Sequence, residues 1–543
     1  MKKSILLAGL ILLFTFSNYA QSLTATAQLN LGTVDELSMD SLQVTINNTT
    51  GKDVNITGYR FYNTYGAAAF STLASNVLIA NGSFQKIWIR FAPKHNIYHN
   101  SELVIFNDSH TGPLRVDLRG QGHYSNSYYN LSENLEEEAL KLQLQTITGN
   151  NYVSLGYSNG ARDYMFMTLD NQAVNGQGAS QNTLECVYTG RQAVGYIDRT
   201  DCQTTYSFNT EHTFPQAFFS SNEPMKSDMF HLFPTDDNAN NVRSNYPFGT
   251  VSNPSWTDGG SKFGNSIFEP RDVHKGEVAR AMFYFVTRYQ NYSNFLDSQE
   301  SILRQWHSQF PPTAIEKKRC NDISTQQMNR NPFIDYPQFV DRIHSFSTTS
   351  VAPVVYATDL TENSIDYGTI SVNTDYIYHY VLINNGNQTL NLTNFVAAGF
   401  SFVSPFSGND TTLSPGDGIS IYIRMNVPVP GNYFTNLQFN TDDPAHLTIT
   451  IPVTANAITI GVAEHNNVPL NIYPNPVKNK ICIDPAPPAN AEVTLFDLQG
   501  RKIESYDGDY NSCYQIQNNL SAGPYMLQIR NGINFSRQLI IIQ

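Results

Sequence analysis

The chain has 543 residues, 41% of them hydrophobic and only 15% charged, with 31 Tyr and 32 Phe. That balance excludes a disordered chain and a coiled coil, and the length allows about three to five domains. The formal net charge of −13 excludes a global basic field that would draw in nucleic acid or an anionic membrane.

Taken from its start, the chain opens with a targeting signal. Lys2 and Lys3 precede an apolar run from Ile5 to Phe16, and Asn18-Tyr19-Ala20 offers a cleavage point, so residues 1–20 read as a signal peptide. No later run is apolar enough to cross a bilayer, and the expectation is a secreted or surface-held soluble chain. Export permits disulfides. Of the five cysteines, Cys186 with Cys202 and Cys482 with Cys513 lie close in sequence and Cys320 is odd, although connectivity is not readable from spacing. With no CxxC motif, a thiolate zinc site is not expected.

Residues 23–122 alternate apolar and polar side chains in Leu42–Ile46, Ile87–Phe91 and Leu114–Leu118, between clusters of Asn, Gly and Pro. Period two with frequent turn signals predicts a β-sandwich. Residues 351–457 repeat the grammar, and Ile421-Tyr422-Ile423-Arg424 echoes Ile87-Trp88-Ile89-Arg90. Both stretches resemble the immunoglobulin-like modules of bacterial surface proteins. Between them, residues 124–346 carry helical stripes. Ser132 is expected to cap a helix bearing Leu135, Ala139 and Leu142, and Val278, Met282, Phe285 and Tyr289 recur at helical spacing, as do Ile302, Trp306 and Phe310. A long irregular Gly/Asn/Asp-rich stretch lies between the first helix and the second.

That stretch holds the candidate chemistry. Glu211-His212 sets a carboxylate beside an imidazole, followed by Ser227-Asp228, Thr235-Asp236, Asn240 and Arg243. Cutting a phosphodiester needs a base to activate water and positive charge for the transition state. A neutral His is suited to the first task, and a divalent cation on oxygen ligands to the second. An Arg can clamp the phosphate. Asp228 and Asp236 read as turn or cap residues, and Glu269 and Glu277 as ion-pair partners as readily as metal ligands.

The order of motifs is more specific. Tyr128-Tyr129, Val187-Tyr188-Thr189-Gly190, Glu211-His212 with Pro215, Met225 to Asp228, Leu232 to Asp236, Asn240 to Asn245, Phe268-Glu269-Pro270, Lys275 to Arg280 and Asn329 to Asp335 follow one another. Residues 124–346 thereby resemble the bacterial endonuclease I family of secreted His-Me finger (ββα-metal) nucleases. The resemblance implies an α+β domain in which His212 sits near a hairpin strand end as general base. Glu211 and Asn240 would be the ligands of Mg²⁺, with Mn²⁺ or Ca²⁺ as alternatives. It implies DNA, and also RNA, as substrate, cut without sequence preference to 5′-phosphates. Arg243 joins His212 as a catalytic candidate, and Lys226 and Arg280 are substrate-binding candidates. Phe230 departs from the family by replacing a polar residue. The tail, 463–543, with Tyr473-Pro474-Asn475-Pro476, Gly500-Arg501 and Gly523-Pro524-Tyr525, resembles the C-terminal sorting domain of type IX secretion. This implies that machinery as a partner and delivery to the cell surface or beyond.

The whole reads as a monomer with two immunoglobulin-like β-sandwiches flanking an α+β nuclease, ending in a β-rich sorting domain. The competing expectation is a non-catalytic adhesin built on a degenerate nuclease. No GxSxG or HExxH occurs to suggest another hydrolase. One tension stands out. Residues 125–345 carry 17 Lys and Arg against 24 Asp and Glu, a net of −7, where a sequence-independent nuclease would be expected to be basic. A local rim such as Lys317-Lys318-Arg319 would resolve it.

Overall fold

A computed structural model describes residues 22–63, 68–459, 471–507, 512–517, 519–531 and 534–543. The signal peptide expected over residues 1–20 lies outside them. Two compact units result: residues 22–370 with 374–427 and 432–456, and residues 371–373, 428–431 and 457–543. No helix among the described residues is long and apolar enough to cross a membrane.

The first β-region is a nine-stranded sandwich. Its four-stranded sheet runs Leu23–Ala25, Asp40–Asn48, Phe84–Phe91, Phe70–Thr72. Its five-stranded sheet runs Gln28–Asp35, Leu114–His123, Tyr98–Asn107, Val54–Asn63, Val77–Ile79. Alternation puts Ile87, Ile89 and Phe91 into the core against Val44, Leu103, Val116 and Leu118. The residues between them therefore face outward. The second β-region, from Thr358–Leu360 to Thr448–Ile458, has the same nine strands in the same sheet order. The two sandwiches are thus topological repeats, as the shared sequence grammar implied.

The sandwiches touch. Asp417 accepts from Asn100 at 2.8 Å and pairs with Arg119 at 3.1 Å. The Gly418 amide donates to Glu102 at 3.0 Å, and the His379 amide to the Thr111 carbonyl at 2.8 Å. Gly112 (φ +87) makes this approach feasible, because a Cβ there would lie 1.9 Å from the His379 oxygen. The helical region also holds the first sandwich. The Tyr336 hydroxyl donates to Glu36 at 3.1 Å, and Gln338 donates to the Lys94 carbonyl at 2.9 Å.

The helical region departs from expectation at its first helix, which spans Glu137–Gly149 and buries Leu140, Leu144 and Ile147 while Leu142 is exposed. Ser132 does not cap it. Its hydroxyl closes the preceding 3₁₀ turn by donating to the Tyr129 carbonyl at 2.6 Å. The helix Asp272–Arg288 runs through the core, burying Val278, Met282 and Phe285 as the stripe predicts. In the other unit, Asn471–Tyr473, Lys480–Asp484 and Cys513–Gln515 form one sheet and four further strands another. Cys482 and Cys513 are bonded across paired strands. Cys186, Cys202 and Cys320 are free and buried, so the alternative Cys186–Cys202 pair is not made.

Candidate active site

Strand Phe208–His212 pairs antiparallel with Leu232–Asp236, placing His212 opposite Leu232 at the strand end. The helix Asp237–Arg243 follows at once. Asp236 starts it by accepting from the Ala239 amide at 2.8 Å, the capping role expected of it. The result is a hairpin running directly into a helix, with His212 at the hairpin's far end and Asn240 in the middle of the helix.

Most of this hairpin is buried, so its polar side chains need partners. Glu211 is 2% exposed. The Tyr188 hydroxyl donates to its Oε1 at 2.7 Å, and the Arg243 Nε lies 3.2 Å from the same oxygen, as a charge contact and not a hydrogen bond. Burial raises the Glu211 pKa, while Arg243 and Tyr188 oppose that rise. His212 lies 3.0 Å through Nε2 from the Lys226 carbonyl. A carbonyl only accepts, so Nε2 carries the proton and Nδ1 presents its lone pair. Burial, and secondarily His231 with its ring 5.3 Å away, pushes the His212 pKa well below 6.5 and keeps the imidazole neutral.

Arg243 is 1% exposed. Its guanidinium donates to the carbonyls of His212, Thr213 and Ser244 and lies over the Phe248 ring at 4.7 Å. The expected catalytic Arg is therefore a brace that fixes the strand end, with no donor turned to solvent. Asn240, one turn earlier on the same helix face, is half-buried and its side chain makes no hydrogen bond among the described residues. Its amide oxygen and Glu211 Oε2 are hard oxygen donors of the type a small divalent cation takes. Among the described residues no group of three or more His, Cys, Asp or Glu gathers for a metal.

The other candidates separate. Lys226 stays at the site, half-buried, with Nζ 4.9 Å over the Tyr157 ring. Arg280 does not. It is buried in a bidentate pair with Glu316, both contacts 2.6 Å, and donates to the Phe310 carbonyl, so no free guanidinium is left for substrate. Glu269 pairs with Lys275 at 2.8 Å, and Glu277 with His274 at 2.6 Å. Asp228 caps the Phe230 amide and also gathers Tyr284, Arg288, Tyr289 and Gln327 in a buried hub. Sequence reasoning missed Tyr157 and Arg162. The Tyr157 ring lies 5.4 Å from His212, and Arg162 sits 5.1 Å over Tyr157 and donates to Thr210 at 3.2 Å. The signal available was one aromatic and one cation five residues apart in an otherwise Gly/Asn-rich stretch. Of the expected rim at 317–319, Arg319 is buried against Asp170 and Lys318 pairs with Asp322, which leaves Lys317 exposed and without an ion pair among the described residues.

Comparison with known proteins accords with this arrangement. Residues 136–338 match the family model of Endonuclease I, and residues 471–543 match that of a secretion system C-terminal sorting domain. The chain thus has a region similar to Endonuclease I ahead of one similar to secretion sorting tails, and is a secreted or cell-surface protein. An extracellular ribonuclease of Bacillus subtilis is 32% identical over 154 residues, covering 25% of this chain and 54% of its own length. That of Bacillus amyloliquefaciens is 32% identical over 155 residues, covering 25% and 53%. An Endonuclease-1 of Buchnera aphidicola is 27% identical over 120 residues, covering 21% and 47%. The chain spans about half the length of these relatives.

Proposed function

We propose that this chain is a secreted, metal-dependent endonuclease that hydrolyses phosphodiester bonds of DNA and RNA without sequence preference, leaving 5′-phosphates. The observation that carries the reading is the imidazole of His212, held neutral at a strand end with Nε2–H on the Lys226 carbonyl and Nδ1 left as an acceptor. A base so oriented takes a proton from water. The water oxygen bonds to phosphorus, the bond from phosphorus to the 3′-oxygen breaks, and that oxygen takes a proton from solvent, so the products are a 5′-phosphate and a 3′-hydroxyl.

Glu211 and Asn240 would hold the cation, which when bound supplies positive charge for the transition state and the departing oxygen. Arg243 acts through these groups as a positioning residue. It neutralises Glu211 on one side and fixes the His212 and Thr213 carbonyls on the other. Lys226 and Arg162, on the Tyr157 ring, are the cations that would meet the phosphate.

The test uses the full chain, stripped of metal and then resupplied with Mg²⁺, Mn²⁺ or Ca²⁺, on plasmid DNA and on RNA. Cleavage that needs the added ion and disappears in His212→Ala, with unchanged circular dichroism, is the expected result. Full cleavage in excess EDTA, or by His212→Ala, would overturn the assignment.

A further inference from the structure

The helical region is acidic, and beyond Lys226 and Arg162 most of its cations are held in ion pairs, so a second place to hold a polyanion would add to its grip. The outer face of the first sandwich's four-stranded sheet supplies a candidate. On its central strand, Phe84–Phe91, the inward residues Ile87, Ile89 and Phe91 are buried. The outward ones read Phe84, Lys86, Trp88, Arg90, an aromatic and a cation in turn. Phe84 is 61% and Trp88 55% exposed.

The neighbours across the ladder are Asn47, Thr45, Gln43 and Ser41 on one side, and Ser71 opposite Arg90 on the other. These outward positions hold no carboxylate, and neither Lys86 nor Arg90 forms an ion pair among the described residues. Beside the strand lies an open groove of about 650 Å³ lined by Met39, Leu73, Val77, Lys86, Trp88 and Arg90.

We infer that this face is a binding site for single-stranded nucleic acid, with bases stacking on Trp88 and Phe84 and phosphates meeting Lys86 and Arg90. Its use in presenting substrate rests on the nuclease reading; the binding itself does not. Outward residues recur about every 6.6 Å along a strand, so the four positions offer about 20 Å of alternating ring and charge. Unpaired bases expose the π-faces such a platform needs, and stacking tolerates any sequence. A duplex keeps those faces inside. A neutral glycan would also stack on Trp88 but would gain nothing from two unpaired cations on a face free of acids.

The second sandwich sharpens the case. Its equivalent strand, Gly418–Met425, also alternates an aromatic and a cation, Tyr422 and Arg424. Here Tyr422 is stacked on His379 with centroids 4.6 Å apart, and Arg424 is paired with Asp375 at 3.5 Å. The same strand in the same topology has its cation engaged by a carboxylate in one copy and its cations without ion partners among the described residues in the other.

The experiment measures fluorescence anisotropy of a labelled oligothymidylate with the full chain in EDTA, where no cleavage intervenes. Phe84→Ala with Trp88→Ala is expected to weaken binding at least about fivefold. Lys86→Gln with Arg90→Gln should flatten the logarithmic salt dependence by about 1.4. Both pairs are exposed or half-buried, so the chain's circular dichroism should not change. With metal added, the aromatic pair should raise KM for long single strands and leave kcat, and hydrolysis of bis(p-nitrophenyl) phosphate, as in the parent. Unchanged anisotropy in both variants would overturn the inference. So would Trp88-dependent binding of a soluble neutral β-glucan with oligothymidylate binding intact. A parent chain inactive with every metal would sink the nuclease reading alone, since the anisotropy result stands without turnover.

Discussion

The hairpin that carries His212 and the open strand that carries Trp88 use opposite ends of the same chemistry. In the hairpin, both the strand that ends in His212 and its partner are largely buried, so each polar side chain is committed: Glu211 to Tyr188 and Arg243, and one nitrogen of His212 to a carbonyl. On the strand Phe84–Phe91, alternation sends hydrophobes to one face and leaves rings and cations on the other without ion partners. A group that must transfer a proton has to be desolvated and fixed in orientation. Groups that hold a long, variable polymer work best in the open, where many sequences fit. On the proposed reading, reaction and retention fall to separate domains, each with its own solvent regime.

Changes at the hairpin should give the largest effects. His212→Ala removes the base and is expected to lower kcat by about 10²- to 10⁴-fold with KM little changed, measured on a long DNA. Next comes Glu211→Gln, which keeps the shape but removes the charge facing Arg243. It should cost about a hundredfold in activity, and the loss should shrink as the divalent ion concentration is raised. If activity of this variant were independent of ion concentration, Glu211 would not be a ligand.

The open strand should respond more modestly. Trp88→Ala with Arg90→Ala should raise KM about fivefold on single strands, whereas Tyr422→Ala with Arg424→Ala, the matched change in the second sandwich, should leave it unaltered. Equal effects from both pairs would erase the distinction between the open and the closed face.

The smallest effect belongs to the seam between the sandwiches. Glu102 is fully buried against Arg115, with Asp117 nearby and the Gly418 amide on its Oε1. Burial outweighs Arg115 and raises its pKa to about 7. The folded chain therefore holds this proton more tightly than the unfolded one. The stabilisation is complete below the ordinary carboxyl pKa and is lost as pH rises through about 7. The melting temperature of this unit should fall by a few degrees between pH 5 and pH 8, and Glu102→Gln should flatten that slope. An unchanged slope would place the titrating group elsewhere.

The sequence made the repeat of the sandwiches legible because alternation at period two survives without any knowledge of partners. It also made the hairpin and helix legible, through a long series of motifs in fixed order. It could not reveal that Arg243 and Arg280 are used up inside. An arginine's availability depends on carbonyls and carboxylates that meet it only in the fold; Glu316 lies 36 residues from Arg280. Tyr157 and Arg162 were hidden for the converse reason, since they lie on a helical segment, residues 157–169, whose sequence shows no clear apolar period, and they reach His212 only through tertiary packing. The Ser132 expectation failed because a hydroxyl that can start a helix can equally close the turn before it.

The contacts of Asp417 with Asn100 and Arg119, and of Thr111 with His379, carry one more consequence. The two sandwiches grip one another although some 230 residues of helical domain intervene between them in sequence. The helical domain is thus a cassette spliced into a closed handle, its entry and exit strung between two domains that clasp each other. A loosened helical core would remain leashed at both ends, which favours its refolding in place over drifting off to aggregate.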